Sequence, residues 1–138
     1  MKYLGLDLGS RTLGLAISDA LGMFARPYTT LRFEENDYDY AIQETIAICQ
    51  KEGISEIVLG NPKHMNGDEG LRSQISYDFK AKIEAMSPIK VHLIDERLTT
   101  VRVDKAMLMA DLSRKKRHQK KDEMAAVIIL QDYLDIKR

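Results

Sequence analysis

Four acidic positions stand where a carboxylate is expensive to keep. Asp7 interrupts the apolar run "KYLGLDL", Asp95 and Glu96 close "IKVHLIDE", and Asp122 opens "DEMAAVIILQDYLDI". Burying a lone charge is costly unless it is paired or holds a cation. Carboxylates gathered at one edge of a sheet suit Mg²⁺ or Mn²⁺, hard ions that prefer oxygen ligands. Two such ions about 4 Å apart activate a water and stabilise the leaving oxygen of a phosphodiester. Side chains alternate across a strand, so Asp95 and Glu96 point to opposite faces and only one of them joins such a site easily. Asp122 has a second reading, as an acid favoured at a helix start by the dipole. Asp19 is either an outer supporting acid or a turn residue.

The charge distribution supports a phosphate-bearing partner. The chain has 21 basic and 21 acidic residues and no net charge. However, "RKKRHQKK" concentrates Arg114, Lys115, Lys116, Arg117, Lys120 and Lys121, with no acid, directly before Asp122. Such a local footprint draws nucleic acid although the whole chain is neutral. Its alternative is a solvated loop.

The elements that position these residues follow from periodicity. Leu4, Leu6 and Leu8 alternate with Tyr3, Gly5 and Asp7, and "TLGLAISD" repeats the pattern across a "GSR" turn, predicting a hairpin. "RPYTTLRF" reads as a third strand, with Pro27 suited to its edge or start. "DYDYAIQETIAICQKEG" has helical spacing and stops at Gly53. "SEIVLGNP" and "IKVHLIDE" read as parallel buried strands around the helix "LRSQISYDFKAKIEAMS". A third helix runs from Thr99 or Thr100 to about Leu112, and the basic segment connects it to a last, buried helix beginning at Asp122. This order gives one α/β domain over residues 1–138, with a five-stranded mixed sheet: an antiparallel meander of three strands plus parallel strands, helices on both faces.

Other features exclude function classes. The longest apolar run, Met124 to Leu130, is too short to span a bilayer, and the start carries no secretion pattern, so a cytoplasmic protein with no membrane partner is expected. The single cysteine, Cys49, reads as a small core residue, and His64, His92 and His118 lack zinc spacing. His92 reads as a core or interface residue, and Tyr38, Tyr40 and Tyr77 as packing rather than base-stacking residues.

Four segments, "GLDLGSRTLGLAISD", "GNPKHMNG", "DERLTT" and "KKDEMAAVIILQDYL", resemble the signature blocks of the YqgF/RuvX family, in order and across the whole chain. The resemblance implies a ribonuclease H-like fold and a nuclease processing the 5′ end of pre-16S ribosomal RNA, with Holliday-junction resolution as the alternative. It implies the acidic triad Asp7, Glu96 and Asp122 as catalytic and metal-holding residues, and so chooses Glu96 over Asp95. Mg²⁺ or Mn²⁺ is the expected cofactor. Arg11, Lys63, Asn66 and Arg97 are the candidate contacts to nucleic acid beside the basic segment. Each has a plain alternative: a surface turn arginine, a structural loop, or an arginine paired with an acid. A non-catalytic RNA-binding assembly factor is the reading from another class, and a sugar-kinase-type phosphotransferase is the rival among enzymes. The third helix offers Met107, Leu108, Met109 and Leu112 for a small contact, so a monomer or weak homodimer is expected, with RNA favoured over a DNA junction.

Overall fold

The computed structural model describes residues 1–61, 67–95 and 114–137, leaving aside the side chains of 67–69 and 114–121. Eight elements follow one another: β1 (Tyr3–Leu8), β2 (Thr12–Ser18), β3 (Ala25–Arg32), α1 (Tyr38–Glu52), β4 (Glu56–Asn61), α2 (Gly67–Met86), β5 (Lys90–Asp95) and α3 (Arg114–Lys137). The expected helix from Thr99 or Thr100 to Leu112 lies outside the described residues.

The five strands form one sheet in the order β3-β2-β1-β4-β5. β1, β2 and β3 pair antiparallel. β4 lies parallel to both β1 and β5. Pro27 sits on the edge strand β3, opposite Ala16 at an irregularity in the β2–β3 register.

Alternation divides the core in two. Leu4, Leu6, Leu13, Leu15, Ile17, Ile57, Leu59 and Val91 pack with Ile42 and Cys49 of α1 and with Phe79 and Ile83 of α2. Tyr3, Ala16 and Val58 line the other face, beneath Ala126, Ile129, Leu130 and Leu134 of α3. Helices therefore cover both faces, as the patterning predicts. Asp37 caps α1 by accepting from the Tyr40 amide, and Gly53 ends it in a left-handed conformation (φ 69°) that a residue without a Cβ enters freely.

Two boundaries differ from expectation. α2 begins at Gly67, before its first apolar residue, Leu71. The basic segment is no connector: Arg114–Lys121 forms the first two turns of α3. Asp122 thus stands inside the helix, and the reading of it as a helix-start acid falls.

Candidate active site

Asp7 shares its face of β1 with Tyr3 and Gly5, so its side chain is on the side that α3 covers. Across the hairpin it lies opposite Gly14, and Gly14 in turn lies opposite Thr30 of β3. Directly opposed residues of antiparallel strands project to the same face. Asp7, Gly14 and Thr30 therefore form a row across three strands, beneath one helix.

Glycine lets that helix come close. A Cβ at Gly14 would lie 2.1 Å from the Asp122 carbonyl oxygen and 3.1 Å from the Asp122 Cβ. A Cβ at Gly5 would lie 2.6 Å from the Leu130 Cβ and 2.9 Å from the Ala126 carbonyl oxygen. Positions 122, 126 and 130 follow one helical stripe, four residues apart, so α3 rests along a trough with Asp122 above Gly14. Opposed Cβ atoms in a sheet are about 4.5–5.5 Å apart, which puts the Cβ atoms of Asp7 and Asp122 within roughly 9 Å of each other. Both residues are half-buried.

Polar contacts fix the helix in this register. Thr30 Oγ1 donates to Glu123 Oε1 (3.3 Å), beside Asp122. Farther along, Gln131 accepts from the Ala25 amide (2.9 Å) and donates to the Met23 carbonyl (3.1 Å). α3 runs from the C-terminal end of β1 towards its start, so its first two turns lead from Asp122 towards and past the strand-end edge. Eight residues at 1.5 Å each make about 12 Å of basic helix projecting beyond Asp122.

Arg11 stands in the turn after β1, on the same edge. Its guanidinium donates to Glu35 at 3.3 Å, with both side chains more than half exposed. The turn is pinned to the segment after β3, where the Phe33 amide donates to the Arg11 carbonyl (3.0 Å) and the Asn36 amide to the Ser10 carbonyl (2.7 Å). Asn36, at φ 63°, makes the tight bend that presents Glu35 to Arg11.

Asp95 follows Val91 and Leu93 on the α1/α2 side of β5, away from the Asp7 face, whereas Ile94 packs towards α3. Glu96, Lys63, Asn66 and Arg97 lie outside the described residues, as do the side chains of Arg114, Lys115, Lys116, Arg117, Lys120 and Lys121. His64 and the His118 side chain do so too. Among the described residues no group of three metal-ligating side chains is complete. Asp7 and Asp122 supply two carboxylates there, the hard oxygen donors that Mg²⁺ or Mn²⁺ prefers.

Asp19 proves to be a turn residue at the opposite edge. Its carboxylate accepts from the Met23 and Phe24 amides (2.8 and 2.9 Å). Those bonds, from Phe24 first and Met23 next, hold its pKa below the ordinary value. His92 is packed as expected, against Glu56 (2.6 Å) and the Tyr133 ring. Cys49 is buried, and desolvation pushes its thiol up to about 12, far from a nucleophile's range. Tyr38 packs edge-on against Phe33, but Tyr40 and Tyr77 are 41% and 46% exposed, contrary to the packing expectation. Gly5, Gly14 and Glu35 were not singled out from sequence. Isolated glycines within strand patterns signal close backbone approach, and that signal was present for the first two.

A family model described as RuvX, Holliday junction resolvase, matches residues 1–136. This chain belongs to the RuvX family. RuvX relatives agree end to end. A protein of Oceanobacillus iheyensis named "Putative pre-16S rRNA nuclease" is 47% identical over 137 residues, 99% of this chain and 100% of its own length. One of the same name from Geobacillus kaustophilus is 45% identical over 138 residues, covering all of both chains. Among solved structures, T. thermophilus RuvC in complex with a Holliday junction substrate superposes with a TM-score of 0.67 at 12% identity, over 99% of this RuvX chain and 95% of that one. The fold is thus ribonuclease H-like, as in RuvC. Among the described residues no helix is long and apolar enough to cross a membrane.

Proposed function

We propose that this RuvX protein is a metal-dependent nuclease that hydrolyses phosphodiester bonds in the precursor of 16S ribosomal RNA. The carrying observation is the convergence of Asp7 and Asp122 on one face of the sheet, at the edge where a basic helix projects. The names of the full-length relatives support the substrate.

Asp7 and Asp122 hold the cation from two elements, and Glu96 completes the set. When bound there, one or two such ions would supply activation of a water and stabilisation of the leaving oxygen of the phosphodiester. Arg11 grips a phosphate beside the scissile one, for which it exchanges Glu35. Arg114, Lys115, Lys116, Arg117, Lys120 and Lys121 attract the nucleic-acid backbone, with Lys63, Asn66 and Arg97 as nearer contacts. Backbone attraction of this kind is independent of sequence and sensitive to salt. The protein works as a monomer or weak dimer in the cytoplasm.

Junction resolution is the second reading, favoured by the description of the family model and by the likeness to RuvC. A resolvase must nick two symmetric strands, which calls for a two-fold dimer. A cleavage panel with Mg²⁺ or Mn²⁺ separates the readings, using a ribosomal precursor, single-stranded RNA, single-stranded DNA and a four-way junction. Cleavage of the precursor that EDTA stops, and that Asp7→Asn abolishes while the fold and substrate binding persist, is the expected result. Paired nicks in the junction by a dimer that survives dilution would replace it with the resolvase reading. Binding without cleavage under every metal condition would leave an assembly factor.

A further inference from the structure

The stretch "FEENDYDY", from the end of β3 into the first turn of α1, carries four acids at the same strand-end edge as Asp7. Two are neutralised: Glu35 pairs with Arg11, and Asp39 with Lys82 at 3.1 Å. Glu34 and Asp37 have no ion pair among the described residues, and both line an open concavity of about 520 Å³ together with Arg32, Phe33 and Tyr40. Asp37 spends one oxygen capping α1, through the Tyr40 amide, and keeps the other. Tyr40 contributes an exposed ring, unlike Tyr38, which is packed on Phe33.

The chemistry of this lining points to its occupant. Unneutralised carboxylates repel phosphate, so the backbone of a strand gripped at Arg11 does not enter. They accept hydrogen bonds from neutral N–H groups, and an exposed aromatic ring offers a stacking platform. Arg32 on the rim donates to a carbonyl oxygen or cups an aromatic plane. A flat, neutral group with adjacent N–H donors and a carbonyl fits all three, and among nucleobases guanine has that edge. Arg32 is paired with Thr12 in the β2–β3 ladder, two strands across from β1 and two residues beyond the level of Asp7, which puts it roughly 12 Å from Asp7. That is within reach of a nucleotide next to one at the cleavage edge.

We infer that this concavity is a base-binding subsite for an unpaired guanine of a single-stranded nucleic acid. The inference rests on the nuclease reading and narrows its substrate, because a base stacked there cannot also be paired in a duplex.

Fluorescence anisotropy tests it with a short uridine oligomer, the same oligomer carrying one guanosine, and a duplex RNA. Cleavage of the ribosomal precursor is followed in parallel. Removing a stacking aromatic costs about 5- to 150-fold in affinity, so Tyr40→Ala should lose that much on the guanosine oligomer and nothing on the duplex. Tyr40→Phe should bind like wild type. Glu34→Gln should erase the preference for guanosine and leave the uridine oligomer unaffected. Wild-type affinity in Tyr40→Ala, or an equal loss on duplex and single strand, overturns the subsite even if the precursor is still cut. Failure of the wild-type protein to bind any of the three RNAs overturns the nuclease reading as well.

Discussion

Gly14→Ala should damage stability and activity together, because the atom it meets belongs to the helix that carries Asp122. The new Cβ would lie 2.1 Å from the Asp122 carbonyl oxygen and 2.5 Å from its carbonyl carbon. Ordinary contact begins near 3.4 Å, so the helix backbone must retreat by about 1.3 Å, the gap between the two distances. A flexible side chain would swing aside. A helix backbone held by Ala126, Ile129 and Leu130 does not. Overpacking of this kind costs about 1–3 kcal/mol, and an obstructing backbone argues for the upper end. For a chain of this size that is a loss of roughly 10 °C in melting temperature. A shift of about 1 Å in a catalytic group costs on the order of 100-fold in rate. Thermal unfolding by circular dichroism and precursor cleavage well below the transition measure both effects. Gly70→Ala is the control: its Cβ meets nothing within 4 Å in α2, so it should stabilise by about 0.5–1 kcal/mol and leave cleavage intact. A Gly14→Ala protein that melts with wild type and cleaves at its rate would refute the placement of Asp122 over the hairpin, and with it the convergence of the two acids.

Three further outcomes follow from local chemistry. Cys49, buried and with its thiol pushed up to about 12, should resist iodoacetamide at neutral pH in the folded protein and react fully in denaturant; rapid native labelling would contradict its packing. Asp19 has a depressed folded pKa, so its stabilisation of the β2–β3 turn is complete above the ordinary value of 3.8 and is lost as pH falls through the folded value. The melting-temperature advantage of wild type over Asp19→Asn should accordingly vanish in acid, and an advantage that persists there would contradict the assignment. Glu35→Gln should free Arg11 and tighten single-stranded RNA binding by up to about fivefold, the scale of an exposed ion pair. The gain should disappear in an Arg11→Ala background, whereas an equal gain there would mean that Glu35 acts only by general repulsion.

What was readable in the chain follows the reach of each signal. Leucine alternation in β1 and β2 fixes which side of each strand is buried, and that alone puts Asp7 on the face opposite Leu4 and Leu6. The start of α3 was hidden because "RKKRHQKK" has no apolar residue to mark a period, although Lys, Arg and Gln are good helix formers. The first turn of α2 was hidden for the same reason. Tyr38 and Tyr40 are two positions apart, so one helix cannot bury both, and spacing taken residue by residue would have put Tyr40 outside. The Arg11–Glu35 pair crosses 24 residues and depends on two backbone bonds between a turn and a loop, a tertiary fact with no periodic trace.

The trough under α3 also fixes which helical residue stands over the Asp7 side of the hairpin. With larger residues at positions 5 and 14, the helix would stand off from the sheet. Glycine at both positions brings the helix backbone down, which sets Asp122 over Gly14, the residue that Asp7 opposes across the hairpin. The same helix supplies the apolar stripe that covers the sheet, the Asp122 carboxylate and the basic turns beyond the edge. The core-covering stripe, Asp122 and the basic turns therefore belong to one helix, set in register by Thr30–Glu123 at one end and Gln131 at the other. A change that slides α3 along the trough moves the acid and the basic turns together. Its effect on cleavage should then exceed what its effect on folding alone would predict.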